Sequence, residues 1–334
     1  MTQYIFPCID GHTCGNPVRL VAGGAPRLEG ATMLEKRAHF LREFDWIRTG
    51  LMFEPRGHDM MSGAILYPAF REDCDFAALF IEVSGCLPMC GAGTIGLATV
   101  TIEEGLVTPK TPGRLAIETP AGRVDVEYAM QGERVASVRL FNVPSFLHSA
   151  DIAVDVPGLG PLVVDIAYDG NFYAVIEPQE SWAGLDGMSA AEIVTHSRAL
   201  REALAEIGET VVHPEDDRIR GVHHAIWCDG PDGPDCDGRD AVFYGDKAID
   251  RSPGGTGTSA RMAQLHGKGR LAVGESFRNK SLIGTVFEGR AEQAVTVGAY
   301  PGILPSIGGW ARITGHNTIL VDDDDPLRHG FQIA

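Results

Sequence analysis

Two short glycine-rich segments carry the residues best suited to acid–base chemistry. The first, Cys90-Gly-Ala-Gly-Thr94, contains a thiol, whereas the second, Gly254-Gly-Thr-Gly-Thr258, has glycine at the corresponding position. Alignment of Cys90 with Gly254 also aligns the glycines and threonines that follow. The offset is 164 residues (254 − 90), close to half of the 334-residue chain. A repeat of this length indicates a duplicated domain in which one half presents a thiol and the other presents none.

Each segment has the character of a loop that leads into a helix. Small residues allow the backbone to approach a ligand, and the free N–H groups and dipole of a helix start favour carboxylate or phosphate. A cysteine at such a position is expected to have a lowered pKa and hence thiolate character. For an isolated match, a buried cysteine beside a tight turn is the better interpretation, and the duplicated context reverses that preference.

Composition restricts the function classes. The chain is long enough for two domains, and 44% hydrophobic and 22% charged residues are typical of globular proteins. A net charge of −17 and a pI near 5.0 argue against nucleic acid or an anionic membrane as a partner. The first residues lack the features of a signal peptide, and no apolar run approaches the length of a membrane span. We therefore expect a cytoplasmic protein.

The cysteines indicate reduced thiols, because their number, seven, is odd and their spacing irregular. Three residues separate Cys86 from Cys90, rather than the two of zinc knuckles and redox pairs, and no histidine follows at ligand spacing. Cys228 and Cys236 flank an acidic, turn-rich segment for which a solvated loop is favoured over a metal site. We expect no structural metal.

Hydrophobic periodicity predicts both strands and helices. Residues 122–128 and 135–143 are strand-like, and residues 162–176 suggest a hairpin. Helices are predicted over 33–48, closed by Asp-Trp, and over 190–207, closed by a glycine. Such a mixture is typical of an α+β protein.

The predicted fold is therefore α+β with two pseudo-symmetric lobes. The first lobe, residues 1–120 plus 303–334, carries the Cys90 loop, and the second, residues 121–302, carries the Gly254 loop. The repeat offset leaves surplus residues at the C-terminal end. Because residues 308–320 have the character of a final strand pair, we expect them to return to the first lobe.

Three segments together resemble the signatures of the proline racemase family. They are residues 10–19, 89–96 and 250–258, and residues 281–289 and 325–331 agree with the same family. The resemblance extends over nearly the whole chain. It implies a fold similar to that of diaminopimelate epimerase, with strands wrapped around a central helix in each lobe and the active site in the cleft between the lobes. It also implies catalysis without pyridoxal phosphate, metal or any other cofactor.

The sequence departs from this family at two positions of the loops. In its racemases and epimerases a cysteine lies on each loop, one for each face of the α-carbon, and Gly254 stands where the second cysteine would be. The family's dehydratases usually have threonine there, so glycine departs from that pattern too. Ala92 stands where the racemases and epimerases commonly have histidine.

A single thiol favours an elimination. Inversion of an α-carbon needs two acid–base groups, one on each face, whereas β-elimination needs only one base, because hydroxide leaves from the β-carbon. We therefore expect a hydro-lyase, trans-3-hydroxy-L-proline dehydratase, that forms a pyrroline-2-carboxylate with Cys90 as the α-proton acceptor. The alternatives are an isomerase such as 4-hydroxyproline 2-epimerase, and a non-catalytic protein that binds a cyclic amino acid.

The substrate carboxylate needs neutralisation before the α-proton becomes acidic enough to remove. The backbone N–H groups of Gly91 and Ala92, and those of Gly255 and Thr256, are expected to provide it. The expected partner is thus a small cyclic amino acid, and a homodimer is compatible with the sequence.

The cationic ring nitrogen of such a substrate needs a hydrogen-bond acceptor. Asp250 is the candidate that matches the family, with a cap for its own loop as the alternative. His224 is a weaker candidate, because neighbouring His223 could serve as well. His12, in the first signature, suits a structural role and a proton donor equally.

Overall fold

The computed structural model describes residues 2–333 of the chain. These residues form two compact units, which we call unit 1 and unit 2. Unit 1 runs up to Leu140 and resumes at Gly309, and unit 2 is Phe141–Gly308. The sequence-based boundaries were placed earlier, after residue 120 and before residue 303.

The elements follow one another in chain order. The first are β1 (Gln3–Thr13), β2 (Asn16–Val21), α1 (Met33–Glu43), α2 (Asp45–Met52), β3 (Ser62–Pro68), β4 (Phe76–Glu82), β5 (Gly85–Leu87), α3 (Gly91–Glu103), β6 (Arg114–Thr119), β7 (Gly122–Gln131) and β8 (Arg134–Phe141). Those that follow are β9 (Ser145–Val156), β10 (Gly160–Tyr168), β11 (Phe172–Ile176), α4 (Ala190–Ala203), α5 (Ala205–Thr210), β12 (Val212–His213), β13 (Asp216–Arg220), β14 (His224–Asp229), β15 (Gly238–Tyr244), β16 (Ala248–Ile249), α6 (Gly255–Gly267), β17 (Ser276–Lys280), β18 (Val286–Val297), β19 (Tyr300–Gly309) and β20 (Ala311–Asp322).

Unit 1 is built around helix α3. Strands β20, β1 and β2 pair antiparallel, β2 pairs parallel with β3, and β3 pairs antiparallel with β4. Strand β4 then pairs parallel with β6, which pairs antiparallel with β7. Every residue of α3 from Gly91 to Thr101 is buried. A Cβ on Gly96 would lie 3.0 Å from Val18 Cγ1, so glycine lets this helix approach β2 closely.

Unit 2 repeats this order of strands around helix α6. Strands β9, β10 and β11 pair antiparallel, β11 pairs parallel with β14, and β14 pairs antiparallel with β15. Strand β15 then pairs parallel with β17, which pairs antiparallel with β18. Helices α3 and α6 each have 13 residues and begin 164 positions apart (255 − 91). The duplication predicted from the sequence is therefore present in the topology, and the mixture of strands and helices confirms the predicted α+β class.

The helix predicted over 33–48 consists of two helices. A capping box begins α1, in which Thr32 and Glu35 exchange hydrogen bonds. The backbone leaves helical geometry at Phe44, with φ at −131°. Asp45, expected to close the helix, begins α2 instead and pairs with Arg48 at 2.6 Å. The prediction was wrong here because apolar spacing continues through a one-residue break in the backbone.

The helix predicted over 190–207 is interrupted in a similar way. Ser189 and Glu192 form the capping box that begins α4. The helix ends at Ala203 with Leu204 as its C-cap, and α5 follows directly. Gly208, predicted as the stop, lies inside α5.

Two predictions about strands can be compared directly with the pairing. The hairpin is confirmed, since β10 and β11 pair antiparallel up to Tyr168 and Phe172. At the C-terminal end β20 pairs along β1 in unit 1, so a single strand returns there rather than a pair.

Among residues 2–333, no helix is long and apolar enough to cross a membrane.

Candidate active site

Cys90 is the N-cap residue of α3. Its backbone is extended, and its Sγ accepts a hydrogen bond from the N–H of Gly93 at 3.3 Å. Thr94 donates to the Cys90 carbonyl twice, from its N–H at 2.9 Å and its hydroxyl at 2.8 Å. The hydroxyl of Ser62 lies 3.9 Å from Sγ. The thiol is thus fixed at a helix start, where the dipole and N–H groups favour negative charge on sulfur.

Four of the other cysteines lie in environments that suppress thiolate formation. Burial raises the pKa of Cys8, Cys86 and Cys228 to about 12. Burial and nearby Asp73 raise that of Cys74. All seven cysteines belong to the described part of the chain, and Cys90 is the one that is half-buried rather than buried. An electrophile dissolved in water therefore meets Cys90 first.

The first turn of α3 presents the N–H groups expected to hold a carboxylate. Gly91 and Ala92 precede the residues whose N–H groups bond back to Cys90, so the helix itself provides no acceptor for them. The Ala92 carbonyl accepts a hydrogen bond from the hydroxyl of Thr13 at 2.8 Å. This contact anchors the turn to β1.

Gly254 is the N-cap residue of α6 and adopts a backbone conformation that favours glycine. Its φ is 74°, and a Cβ there would lie 2.9 Å from Val242 Cγ2. Its N–H donates to the hydroxyl of Ser252 at 3.2 Å, and its carbonyl accepts from Thr258 at 2.8 Å. The structure around this loop therefore suits the residue that the sequence has there.

Asp250 lies at the start of the second loop, with its two oxygens in different surroundings. Oδ1 accepts hydrogen bonds from the N–H and the hydroxyl of Ser252, at 2.8 and 2.7 Å, so the capping role is present. Oδ2 lies 3.6 Å from the point that a Cβ on Gly254 would occupy. Burial raises the pKa of this carboxyl to about 6, against the lowering effects of Ser252 and the Arg251 charge.

A network of buried polar side chains supports the second loop. This network was not anticipated from the sequence. The side-chain amide of Asn279 donates to Asp240 Oδ2 at 2.6 Å, the Thr258 hydroxyl at 2.9 Å and the Pro253 carbonyl at 3.3 Å. Burial raises the pKa of Asp240 well above its ordinary value. A carboxyl directly before the apolar residues 241–243 of β15 was the available signal.

The start of α6 connects to His224 through an aromatic residue. The hydroxyl oxygens of Thr256 and Tyr173 lie 2.5 Å apart. The ring centroids of Tyr173 and His224 lie 5.2 Å apart. Burial, with the charges of His223 and Arg201, lowers the pKa of His224 to about 3. Its Nδ1 has no hydrogen-bond partner among residues 2–333. His224 is thus a neutral imidazole, capable of accepting a hydrogen bond. Nothing in the sequence pointed to Tyr173.

The first signature forms a turn. The Nδ1 atom of His12 accepts a hydrogen bond from the N–H of Gly15 at 3.1 Å. The His12 ring packs edge-on against Trp310, with 5.5 Å between the ring centroids. Cys14 has a φ of 46°, and its thiol lies 3.4 Å from the Trp310 carbonyl oxygen. Of the two interpretations of His12, these contacts favour the structural one.

The acidic loop before β15 is held by ion pairs. Asp232 lies 3.0 Å from Lys280 Nζ, and its N–H donates to Cys236 Sγ at 3.0 Å. Within the described residues, no three histidine, cysteine or acidic side chains are grouped as metal ligands.

Comparison of the sequence with known proteins gives full-length matches. A profile of the proline racemase family matches residues 8–332. The 4-hydroxyproline 2-epimerase 2 of Rhizobium rhizogenes is 73% identical over 98% of both chains. The 4-hydroxyproline 2-epimerase of Paracoccus denitrificans is 64% identical, and a 4-hydroxyproline epimerase of Brucella suis is 60% identical, each over the full length of both chains.

Solved structures agree with this result. The hydroxyproline epimerase of Agrobacterium vitis, with bound trans-4-hydroxy-L-proline, has a TM-score of 0.89 at 28% identity and covers 99% of this chain and 95% of its own. A probable proline racemase of Agrobacterium radiobacter, with bound carbonate, has a TM-score of 0.90 at 32% identity, over 98% and 96%. A PhzF-family protein of Bacillus anthracis shares the fold alone, at 13% identity and a TM-score of 0.59.

These relatives overturn the prediction of a trans-3-hydroxy-L-proline dehydratase, and with it that of a hydro-lyase. The full-length relatives at 60–73% identity are named 4-hydroxyproline epimerases. The prediction was wrong because it gave one position, Gly254, more weight than the rest of the chain. Since the family profile and these relatives both extend along almost the entire sequence, the chain belongs to the proline racemase family.

Proposed function

We propose that this protein is a 4-hydroxyproline 2-epimerase, an isomerase that inverts the α-carbon of trans-4-hydroxy-L-proline. The observation that carries the proposal is 60–73% identity, over the whole length, to relatives named for that reaction. The ligand in the Agrobacterium vitis structure supports the same substrate. The predicted cytoplasmic location and homodimer stay predictions.

Cys90 is the proposed acid–base group for one face of the α-carbon. A thiolate at the start of α3 removes the α-proton, and the resulting thiol returns a proton in the reverse reaction. The hydrogen bond from Gly93 aims and stabilises the sulfur, which is half-buried and open to a reactant.

The backbone N–H groups at the two helix starts are the proposed binding sites for the substrate carboxylate. Those of Gly91 and Ala92 belong to α3, and those of Gly255 and Thr256 to α6. When the α-proton leaves, negative charge spreads onto the carboxylate oxygens. N–H donors fixed at these positions stabilise that charge without rearrangement.

The ring nitrogen is proposed to bind acceptors in unit 2. Asp250 offers a carboxyl oxygen, and His224 offers a buried neutral imidazole. Because a neutral imidazole accepts a hydrogen bond from a secondary ammonium, His224 is able to bind this group without a charge of its own.

Incubation with trans-4-hydroxy-L-proline, followed by chiral chromatography, tests the proposal. We expect cis-4-hydroxy-D-proline to form until the two epimers reach equilibrium, and the same mixture to form from the D epimer. Trans-3-hydroxy-L-proline serves as the control for elimination. Unchanged trans-4-hydroxy-L-proline, together with no exchange of its α-proton, would overturn the proposal.

A further inference from the structure

The proposed reaction needs an acid–base group for which the second loop has no thiol. Epimerisation removes a proton from one face of the α-carbon and adds one to the other. Cys90 serves one face, while Gly254 has no side chain that could serve the other. A group other than residue 254 must therefore supply the second proton.

We infer that the carboxyl of Asp250 is this second acid–base group, an inference that rests on the proposed epimerase function. Its Oδ2 atom lies 3.6 Å from the point at which a side chain of residue 254 would begin. The carboxyl thus lies beside the position that the family resemblance assigns to a cysteine.

The orientation of the carboxyl is fixed by its other oxygen. Oδ1 accepts two hydrogen bonds from Ser252, at 2.8 and 2.7 Å, and the hydroxyl of Ser252 also accepts the N–H of Gly254. The Asp250 backbone N–H donates to the Val242 carbonyl at 2.8 Å. These contacts hold Asp250 to the loop and direct Oδ2 away from Ser252.

The protonation of Asp250 suits both directions of the reaction. Burial raises its pKa to about 6, so that near neutral pH the group loses and regains a proton at little cost. Two charged or titratable residues act on it. Arg251, on the same loop, favours the carboxylate of Asp250, and the interaction between Asp250 and Asp240, on β15, raises the pKa of Asp240.

The two proton transfers balance, so the proposed reaction needs no other reactant. The active enzyme holds one proton between Cys90 and Asp250. When the proton is on Asp250, the Cys90 thiolate takes the α-proton of the substrate. The electron pair of the broken C–H bond delocalises into the substrate carboxylate. The Asp250 carboxyl then protonates the opposite face of the α-carbon. The reverse reaction begins with the Cys90 thiol and the Asp250 carboxylate. The ring nitrogen is bonded directly to the α-carbon, so the nitrogen-binding and acid–base roles proposed for Asp250 concern neighbouring atoms.

The test is Asp250→Asn, assayed for inversion and, in deuterated water, for α-deuterium uptake from each epimer separately. Asparagine keeps an oxygen for the Ser252 hydrogen bonds but cannot exchange a proton. We expect inversion to fall about 100-fold or more, since general acid–base groups contribute on the order of 10²–10⁴. Deuterium uptake should persist for the epimer that Cys90 deprotonates and disappear for the other.

Two further variants guard against misinterpretation. Asp237→Asn changes an exposed aspartate that pairs with Arg278 at 2.9 Å and has no role in the proposed mechanism, so it should leave inversion unchanged. Asp250→Glu keeps a carboxyl and should retain part of the inversion. Protection of Cys90 from iodoacetamide by pyrrole-2-carboxylate shows that the Asn variant still folds and binds.

Each outcome decides the matter. Loss of exchange for one epimer alone supports the acid–base role. Equal loss for both epimers, with a raised KM, would mean that Asp250 only binds the substrate, and would overturn the inference while leaving the epimerase intact. Inversion by Asp250→Asn at the wild-type rate overturns it as well. Absence of inversion in the wild type overturns the proposed function itself.

Discussion

Asp250 Oδ2 lies 3.6 Å from the place where a Cβ on Gly254 would be. This relationship reconciles two observations that otherwise conflict. The relatives are epimerases, whose reaction needs two acid–base groups, whereas the second loop carries glycine where the family resemblance expects a thiol. In the proposed mechanism, the carboxyl beside the glycine takes the place of the second thiol.

Cys90→Ser should abolish inversion while leaving the fold intact. The serine hydroxyl is a far weaker proton acceptor than a thiolate, yet it accepts the Gly93 N–H as sulfur does. We expect a loss of about 100-fold or more in kcat. Cys90→Ala should lose activity too, and in addition about 1 kcal/mol of unfolding free energy, because the cap is removed. Thermal unfolding and chiral chromatography measure both effects, and an active Ser variant would contradict the role of Cys90.

Iodoacetamide should label Cys90 faster than the other six cysteines. Cys90 is half-buried at a helix start, whereas burial raises the pKa of Cys8, Cys86 and Cys228 to about 12. Peptide mass spectrometry after short exposures measures the rates. Pyrrole-2-carboxylate should slow labelling of Cys90, and a rate that the analogue does not change would place this thiol outside the site.

Gly254→Cys should destabilise the protein, although it introduces the second thiol. A Cβ there lies 2.9 Å from Val242 Cγ2, and the φ of 74° disfavours any residue other than glycine. We expect a loss of about 1–3 kcal/mol, the usual range for overpacking. Adding Val242→Ala should recover part of it and reveal epimerase activity that survives Asp250→Asn. Equal melting temperatures for wild type and Gly254→Cys would show that the loop accommodates a side chain.

The value of kcat/KM should fall as the pH decreases through about 6. The active form holds one proton between Cys90 and Asp250, and a second proton, added at the raised pKa of Asp250, removes the base. Because both directions use the same ionisation state, the acid limb should appear for either epimer. Steady-state rates measured from about pH 4.5 to about pH 8 cover this range and show whether the acid limb is present. The same limb in Asp250→Asn would assign it to another group.

Local and repeated patterns made much of the fold predictable. The offset between Cys90 and Gly254 anticipated two equivalent helices, and both begin where the alignment places them. The break at Phe44 was not predictable, because it interrupts the backbone without interrupting the apolar spacing.

The candidate site was predictable only in part. Cys90 and Asp250 stand out in motifs, whereas Tyr173 reaches Thr256 across 83 positions and Asn279 reaches Asp240 across 39, contacts that only the fold creates. The reaction was predicted wrongly because the missing side chain of Gly254 was given more weight than the rest of the chain, which matches relatives named as epimerases.

Proton NMR of trans-4-hydroxy-L-proline in deuterated water tests the central claim most directly. The account predicts that the wild-type protein forms cis-4-hydroxy-D-proline carrying deuterium at the α-carbon, and that Cys90→Ser forms none. Exchange of the α-proton with full retention of configuration, in the wild type and over many turnovers, would contradict the claim, because it would show that only one face of the carbon is served.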